Sequence, residues 1–185
     1  MLIGKVLTVD CTASRKVCSS KKKLLEILSS MTAGRLEEDS RSFFEALWER
    51  ERIGTTAIGG GVALPHCETE FCDAPVGALV TLSSPVDFDA PDGCPVDIVF
   101  ATFFPKNPSS NRADRRKFLS NLANVLSDKN SCKRLLEADN RQTLYSIMVE
   151  LLSGKMAFVD ESDQLLRHKS EDRQESIQEL ELADD

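Results

Sequence analysis

Between Glu51 and Glu70 the chain reads ERIGTTAIGGGVALPHCETE, which gathers groups able to handle an anion: an arginine just before it (Arg50), two threonines (Thr55, Thr56), three consecutive glycines (Gly59, Gly60, Gly61) and one histidine, His66. Consecutive glycines allow positive φ and close approach of the main chain, so their amides can form an anion-binding concavity. A neutral imidazole is a nucleophile that forms covalent intermediates, and phosphoryl transfer asks mainly for positioning and charge stabilisation by nearby donors. The stretch is neither a Walker loop, which would end in Gly-Lys-Ser/Thr, nor the dinucleotide fingerprint, so nucleotide binding is not expected. Cys67 as nucleophile with His66 as base fails on geometry, because adjacent residues of an extended segment point to opposite faces. From spacing alone a plainer alternative stays open, in which His66 ends a strand and the glycines make a turn.

These residues sit in a chain of 185, long enough for one domain with a real core. Apolar residues make up 41% and charged residues 29%, as in ordinary globular proteins. No apolar run approaches the roughly 20 residues of a bilayer span, and the opening MLIGKVLTVDCTAS lacks the apolar stretch of a secretory signal, so a cytoplasmic protein without membrane insertion is expected. Six cysteines (11, 18, 67, 72, 94, 132) include no CxxC pair, and with only two histidines Cys67 and Cys72 lack a second ligand pair for zinc. Buried or idle thiols, no metal and no cofactor are the expectation.

The net charge of −7 is unevenly placed. Residues 1–155 hold 20 basic and 20 acidic side chains, whereas 156–185 hold 3 basic and 10 acidic ones. This divides the chain into a neutral body, 1–155, and an acidic, solvated tail, 156–185, whose Leu165, Leu166, Ile177, Leu180 and Leu182 fit a helical stripe only in part. A neutral body with an acidic tail argues against nucleic acid as the main ligand, since duplex binding rests largely on basic residues at phosphates.

The elements that must position the histidine follow from periodicity. Leu24, Ile27, Leu28 and Met31 recur at helical spacing behind a Ser20 cap, with Gly34 as the stop. A second helix is predicted from about Ser40 to Arg52 on Phe43, Phe44, Leu47 and Trp48, stopped by Gly54. VGALVTL and PVDIVFATFF, bounded by prolines, read as buried strands. PKNPSSN should cap a helix from about Arg112 to Ser127, followed by a short one near Leu135 and another over Gln142–Leu152. The fold class is α/β, one sheet covered by helices.

The block RERIGTTAIGGGVALPH resembles the phosphorylation-site motif of enzyme IIA domains of the bacterial phosphoenolpyruvate:sugar phosphotransferase system, fructose/mannitol class. SRKVCSSKKKLLEILS, PVDIVFATFFP and LSDKNSCKRLLEADNRQTLYSIM are similar to that family's nitrogen-regulatory branch, and the resemblance spans roughly Val6 to Leu152. It implies a single mixed β-sheet flanked by helices. It also implies that His66 takes a phosphoryl group from the phosphohistidine of the small histidine-containing phosphocarrier protein. The glycines would hold the chain around that group, Thr55, Thr56 and the amides would bind its oxygens, and Arg50 would balance charge. Three departures stand out. Arg115, in RRKFLSNLANVL, occupies the place of the family's second active-site histidine, Cys67 stands where glycine is common, and Glu68 where lysine is frequent. An arginine cannot take a proton, but it can hold phosphate oxygens in a fork. The implied role is a cytoplasmic regulatory phosphocarrier rather than a small-molecule-turnover enzyme. The alternatives are a binding module of this fold without phosphotransfer, and a sugar-transport component that passes phosphate to a membrane-bound partner.

Overall fold

A computed structural model describes residues 3–106 and 112–154. The acidic tail, and the capping segment PKNPSSN after Lys106, therefore lie outside the described residues. The elements run α1 (Ile3–Val6), a 3-10 turn (Val9–Cys11), β1 (Thr12–Lys16), α2 (Lys21–Leu36), α3 (Ser40–Ile53), β2 (Ala57–Gly59), β3 (Val62–Ala63), β4 (His66–Thr69), β5 (Val76–Val86), β6 (Val96–Pro105), α4 (Arg112–Leu126) and α5 (Lys129–Glu137). A last helix, α6, covers residues 141–154.

All the strands join one mixed sheet in the order β1-β5-β6-β3-β2, with β4 also on β6. β5 and β6 pair antiparallel, while β1 on β5 and both β3 and β4 on β6 are parallel. β3 and β4 thus lie end to end along one side of β6, interrupted at Leu64–Pro65. Proline has no N–H for the ladder. The sheet closes over the break because Thr102 N–H donates to the Pro65 carbonyl at 2.8 Å.

β6 is apolar on both faces because helices cover both. Phe103 meets Phe43 of α3 edge-on at 4.9 Å between ring centroids, whereas Phe100 and Phe104 meet Phe118 of α4 at 6.4 Å each. Strand side chains alternate, so these contacts put α3 on the Phe103 face and α4 on the Phe100/Phe104 face.

The predicted helices and strands are present, with boundaries moved: β5 runs on past VGALVTL, through Pro85, to Val86. α2 does not stop at Gly34 but runs on to Leu36, and Glu37 takes the left-handed cap (φ 58°), its N–H donating to the Ala33 carbonyl. Arg35 holds that extra turn by donating to the carbonyls of Val6 at 2.7 Å and Lys5 at 3.2 Å. At its start Ser20 caps as expected, its hydroxyl accepting from Lys23 N–H.

Candidate functional site

The register of β4 decides what His66 faces. His66 lies opposite Thr102 and Glu68 opposite Phe104, on the α4 side, while Cys67 lies opposite Phe103, under α3. Burial alternates accordingly: His66 half-buried, Cys67 buried, Glu68 exposed, Thr69 buried. Burial pushes the Cys67 thiol far up, and the Cys72 thiol up to about 11, so neither supplies a thiolate. All six cysteines are free thiols, four of them buried and Cys94 exposed. Among the described residues, no group of three or more His, Cys, Asp or Glu side chains is placed to hold a metal.

The break at Pro65 turns the His66 ring back onto its own backbone, with Nδ1 2.9 Å from the Leu64 carbonyl oxygen. A carbonyl only accepts, so in the neutral ring Nδ1 carries the proton and donates it. Nε2 keeps the lone pair. Burial, the largest influence, lowers the His66 pKa from 6.5; the Leu64 bond works upward, Arg50 downward and Glu51 upward. At neutral pH the ring is an uncharged base with Nε2 open.

A cavity of about 350 Å³ in front of this ring is lined by Arg50, His66, Cys67, Glu68, Phe104, Arg112, Arg115, Arg116 and Leu119. Arg50 comes from the last turn of α3, where its guanidinium also donates to the Gly54 carbonyl at 3.1 Å. Arg112, Arg115 and Arg116 come from the first turns of α4, spaced i, i+3, i+4 and so on one face of it. Arg115 is 11% exposed, ion-pairs with Glu68, and lies over the Phe104 ring at 5.9 Å. The structure therefore brings His66, Arg50 and Arg115 together, and it adds Arg112 and Arg116.

Thr55 and Thr56 line a second hollow that also contains Arg50 and His66. Their hydroxyl protons are spoken for: Thr55 donates to the Phe88 carbonyl at 2.7 Å and Thr56 to Glu51 at 2.5 Å. Both threonines thus shape the wall of the site rather than offering free O–H donors to an anion.

The glycines are a correction. Gly59, Gly60 and Gly61 form the tight turn between β2 and β3, with φ of 88°, 62° and 81°. Gly60 N–H is taken by Asp92 at 2.8 Å, and a Cβ on Gly61 would lie 2.9 Å from Asp97 Oδ1. The Gly61 carbonyl accepts from Asp97 and Ile98, at the other end of β6 from Thr102. Five residues of strand separate Asp97 from Thr102, about 16 Å. The glycines do not reach His66, and what they touch is carboxylate. Their positive φ serves the hairpin.

Sequence reasoning passed over a buried support behind the site. Glu51, its side chain 2% exposed, accepts from Thr56 N–H at 3.0 Å and pairs with Lys21 Nζ at 2.8 Å. Lys21 also donates to the Phe88 carbonyl at 3.2 Å and to Asp89 at 3.0 Å. Burial pulls the Lys21 pKa down, but Glu51 and Asp89 outweigh it and hold the ammonium charged. Nothing in ERERIG distinguishes Glu51 from its solvated neighbours. The arginine stripe of α4, by contrast, was open to a count of helical spacing.

The family model described as phosphoenolpyruvate-dependent sugar phosphotransferase system, EIIA 2, matches residues 5–150. The chain is 39% identical over 156 residues to the nitrogen regulatory protein of Klebsiella oxytoca, covering 84% of this chain and 94% of that one. It is 39% identical over 149 residues to the Escherichia coli K12 protein of the same name, covering 80% and 90%. The crystal structure of nitrogen regulatory protein IIA-Ntr from Neisseria meningitidis matches with a TM-score of 0.72 at 30% identity, over 78% of this chain and 97% of that one. IIA mannitol from Escherichia coli, at TM-score 0.62 and 17% identity over 79% and 98%, shares the fold.

Proposed function

The chain belongs to the EIIA 2 family of the phosphoenolpyruvate-dependent sugar phosphotransferase system, with nitrogen regulatory proteins among its relatives, and from that premise we propose that it is a regulatory phosphocarrier loaded on His66 Nε2. The donor is the phosphohistidine of a small histidine-containing carrier protein. The Nε2 lone pair attacks the phosphorus, the donor's N–P bond breaks, and its electron pair returns to the donor ring nitrogen. Nδ1 keeps its proton on the Leu64 carbonyl, which stabilises the positive charge that spreads over the His66 ring as the new bond forms.

The observation that carries this reading is the tautomer imposed by Leu64 beside a pocket lined by four arginines. A transferring phosphoryl group spreads negative charge over three oxygens, and planar guanidinium groups match that geometry. Arg50 and Arg115 are assigned to those oxygens, with Arg112 and Arg116 at the rim. Thr55, Thr56 and the Glu51–Lys21 pair fix the wall behind the ring. Output then comes from altered protein contacts on this face, as suits kinship with nitrogen regulatory proteins. Among the described residues no helix is long and apolar enough to cross a membrane.

A second reading, a binding module of this fold without phosphotransfer, draws on Arg115 standing where the family's second histidine is expected. Incubation with phosphoenolpyruvate, enzyme I and the carrier protein, followed by intact mass, separates the two. The phosphocarrier takes up one acid-labile phosphoryl group that His66→Ala does not. No uptake from any cognate carrier leaves the binding module.

A further inference from the structure

Among the described residues, the pocket in front of His66 is lined by more basic than acidic side chains. Ten arginines precede residue 155, and four of them (Arg50, Arg112, Arg115, Arg116) line this one pocket. Among the described residues its lining includes one carboxylate, Glu68, so with His66 neutral those side chains sum to +3. Residues 1–155 as a whole are neutral at 20 against 20, so the cluster is a segregation of charge and no reflection of a basic chain. Arg112 and Arg116 are exposed, and the floor between the arginines is apolar, made of Phe104 and Leu119.

The chain itself supplies the complement. Residues 156–185 hold 3 basic and 10 acidic side chains, a sum of −7, interspersed with Leu165, Leu166, Ile177, Leu180 and Leu182. Acidic groups suit the guanidinium rim and leucines suit a Phe/Leu floor. Reach is sufficient: the 31 residues from 155 to 185 cover about 30 Å as an r.m.s. coil and about 100 Å fully extended, against a radius of gyration of about 15 Å for a domain this size.

We infer that the acidic segment 156–185 docks in cis on the arginine face and competes there with the incoming phosphoryl donor. Docking stands on charge, surface and tether; only the competition rests on the phosphocarrier reading. Covalent attachment over a span of this length gives an effective concentration on the order of 1 mM. An intrinsic Kd of about 1 mM would cover the face half the time and slow loading about twofold, while about 0.1 mM would slow it about tenfold.

The test compares the full chain with a full-length variant whose ten acidic residues after Lys155 are changed to Asn or Gln. Backbone amide shifts are recorded in both at 0.05 M and 1 M salt, and phosphoryl uptake is timed in parallel. Docking predicts low-salt shift differences at Glu68, Arg112, Arg115, Arg116 and Leu119 that vanish at 1 M salt, where the screening length is about 3 Å. Competition predicts that the variant loads about 2–10-fold faster at low salt and at parity at 1 M. No shift differences, or differences centred on another surface, overturn the proposal. Differences that grow with protein concentration assign the segment to a second copy and overturn docking in cis. Shift differences with equal loading rates overturn the competition alone. Shift differences without phosphoryl uptake from any carrier uphold docking and sink the phosphocarrier reading, and uptake without shift differences does the reverse.

Discussion

Replacing Arg115 should change how far His66 is loaded at equilibrium, with a sign that depends on which member of the Arg115–Glu68 pair is removed. The Arg115 side chain is 11% exposed and Glu68 50%, so this guanidinium is held in a fixed place and its partner is half in water. In the unloaded protein Glu68 engages Arg115. A phosphoryl group on His66 would stand two residues away on the same face of β4 and compete for the same guanidinium. A hydrogen bond to a charged group is worth about 1.5–3 kcal/mol, while a pair with one half-exposed member gives back about 0.2–1 kcal/mol. The difference, about 1–2 kcal/mol, is about 5–30-fold in the equilibrium with the donor carrier. Arg115→Ala should shift that equilibrium toward the donor by this factor and shorten the phosphohistidine lifetime. Arg115→His should do so no more strongly than Ala. Glu68→Ala removes that competition and should shift the equilibrium the other way. Intact mass across a series of donor ratios reads the equilibrium, and decay after donor removal reads the lifetime. Arg115→Ala also loses its contact over Phe104, about 0.5–1 kcal/mol, so its Tm should fall by only about 1–4 °C. If both Arg115 variants match wild type in equilibrium and lifetime, Arg115 does not hold the phosphoryl group and the expected second histidine has no replacement here.

Arg50→Ala should slow loading without unfolding the domain, because its guanidinium sits at the end of α3 on the Gly54 carbonyl; stopped loading kinetics with circular dichroism check both halves. Burial, foremost, lowers the His66 pKa, and Arg50 adds to that, so loading should hold its plateau as pH falls through about 6.5. The fold favours the neutral ring, hence this group's contribution to stability is lost as pH drops below the unfolded histidine value, and Arg50→Ala should raise the NMR titration midpoint of His66. Glu51→Ala leaves Lys21 with Asp89 and the Phe88 carbonyl but strands the buried Thr56 amide, so about 1–3 kcal/mol of stability should go, a Tm loss of about 2–12 °C by calorimetry. Gly61→Ala, with φ 81° and a Cβ 2.9 Å from Asp97, should destabilise by more than Gly60→Ala, which has open space and costs about 1–2 kcal/mol for its backbone alone. Neither should change the loading rate of the folded protein, and a specific loading defect in either would return the glycines to the site.

The helices and long strands were legible because each is written in a local period. Leu24, Ile27 and Leu28 at helical spacing behind Ser20, and the uninterrupted VDIVFATFF, need no knowledge of distant chain. Alternation likewise settled that Cys67 and His66 face opposite ways before any partner strand was known. The resemblance in RERIGTTAIGGGVALPH pointed to the histidine, and composition set an acidic stretch, 156–185, apart from a charge-neutral 1–155. What local pattern cannot hold is which groups meet. Three glycines read the same whether they cradle an anion or turn a hairpin; the pairing of β3 with the start of β6 chose the hairpin, some 16 Å from Thr102, by putting Asp92 and Asp97 against them. The short strands β1 to β4 gave no periodic signal, since two to five residues are too few to show a period; β1, β3 and β4 exist because β5 and β6 offer edges to pair with, and β2 because it pairs back on β3. Lys21 and Glu51 are surface residues to any reading of their neighbours. Glu51 becomes buried, with the half-buried Lys21 as its partner, only where α2 and α3 close over Thr56 and Phe88, because the interior tolerates a charge where a distant segment brings the opposite one.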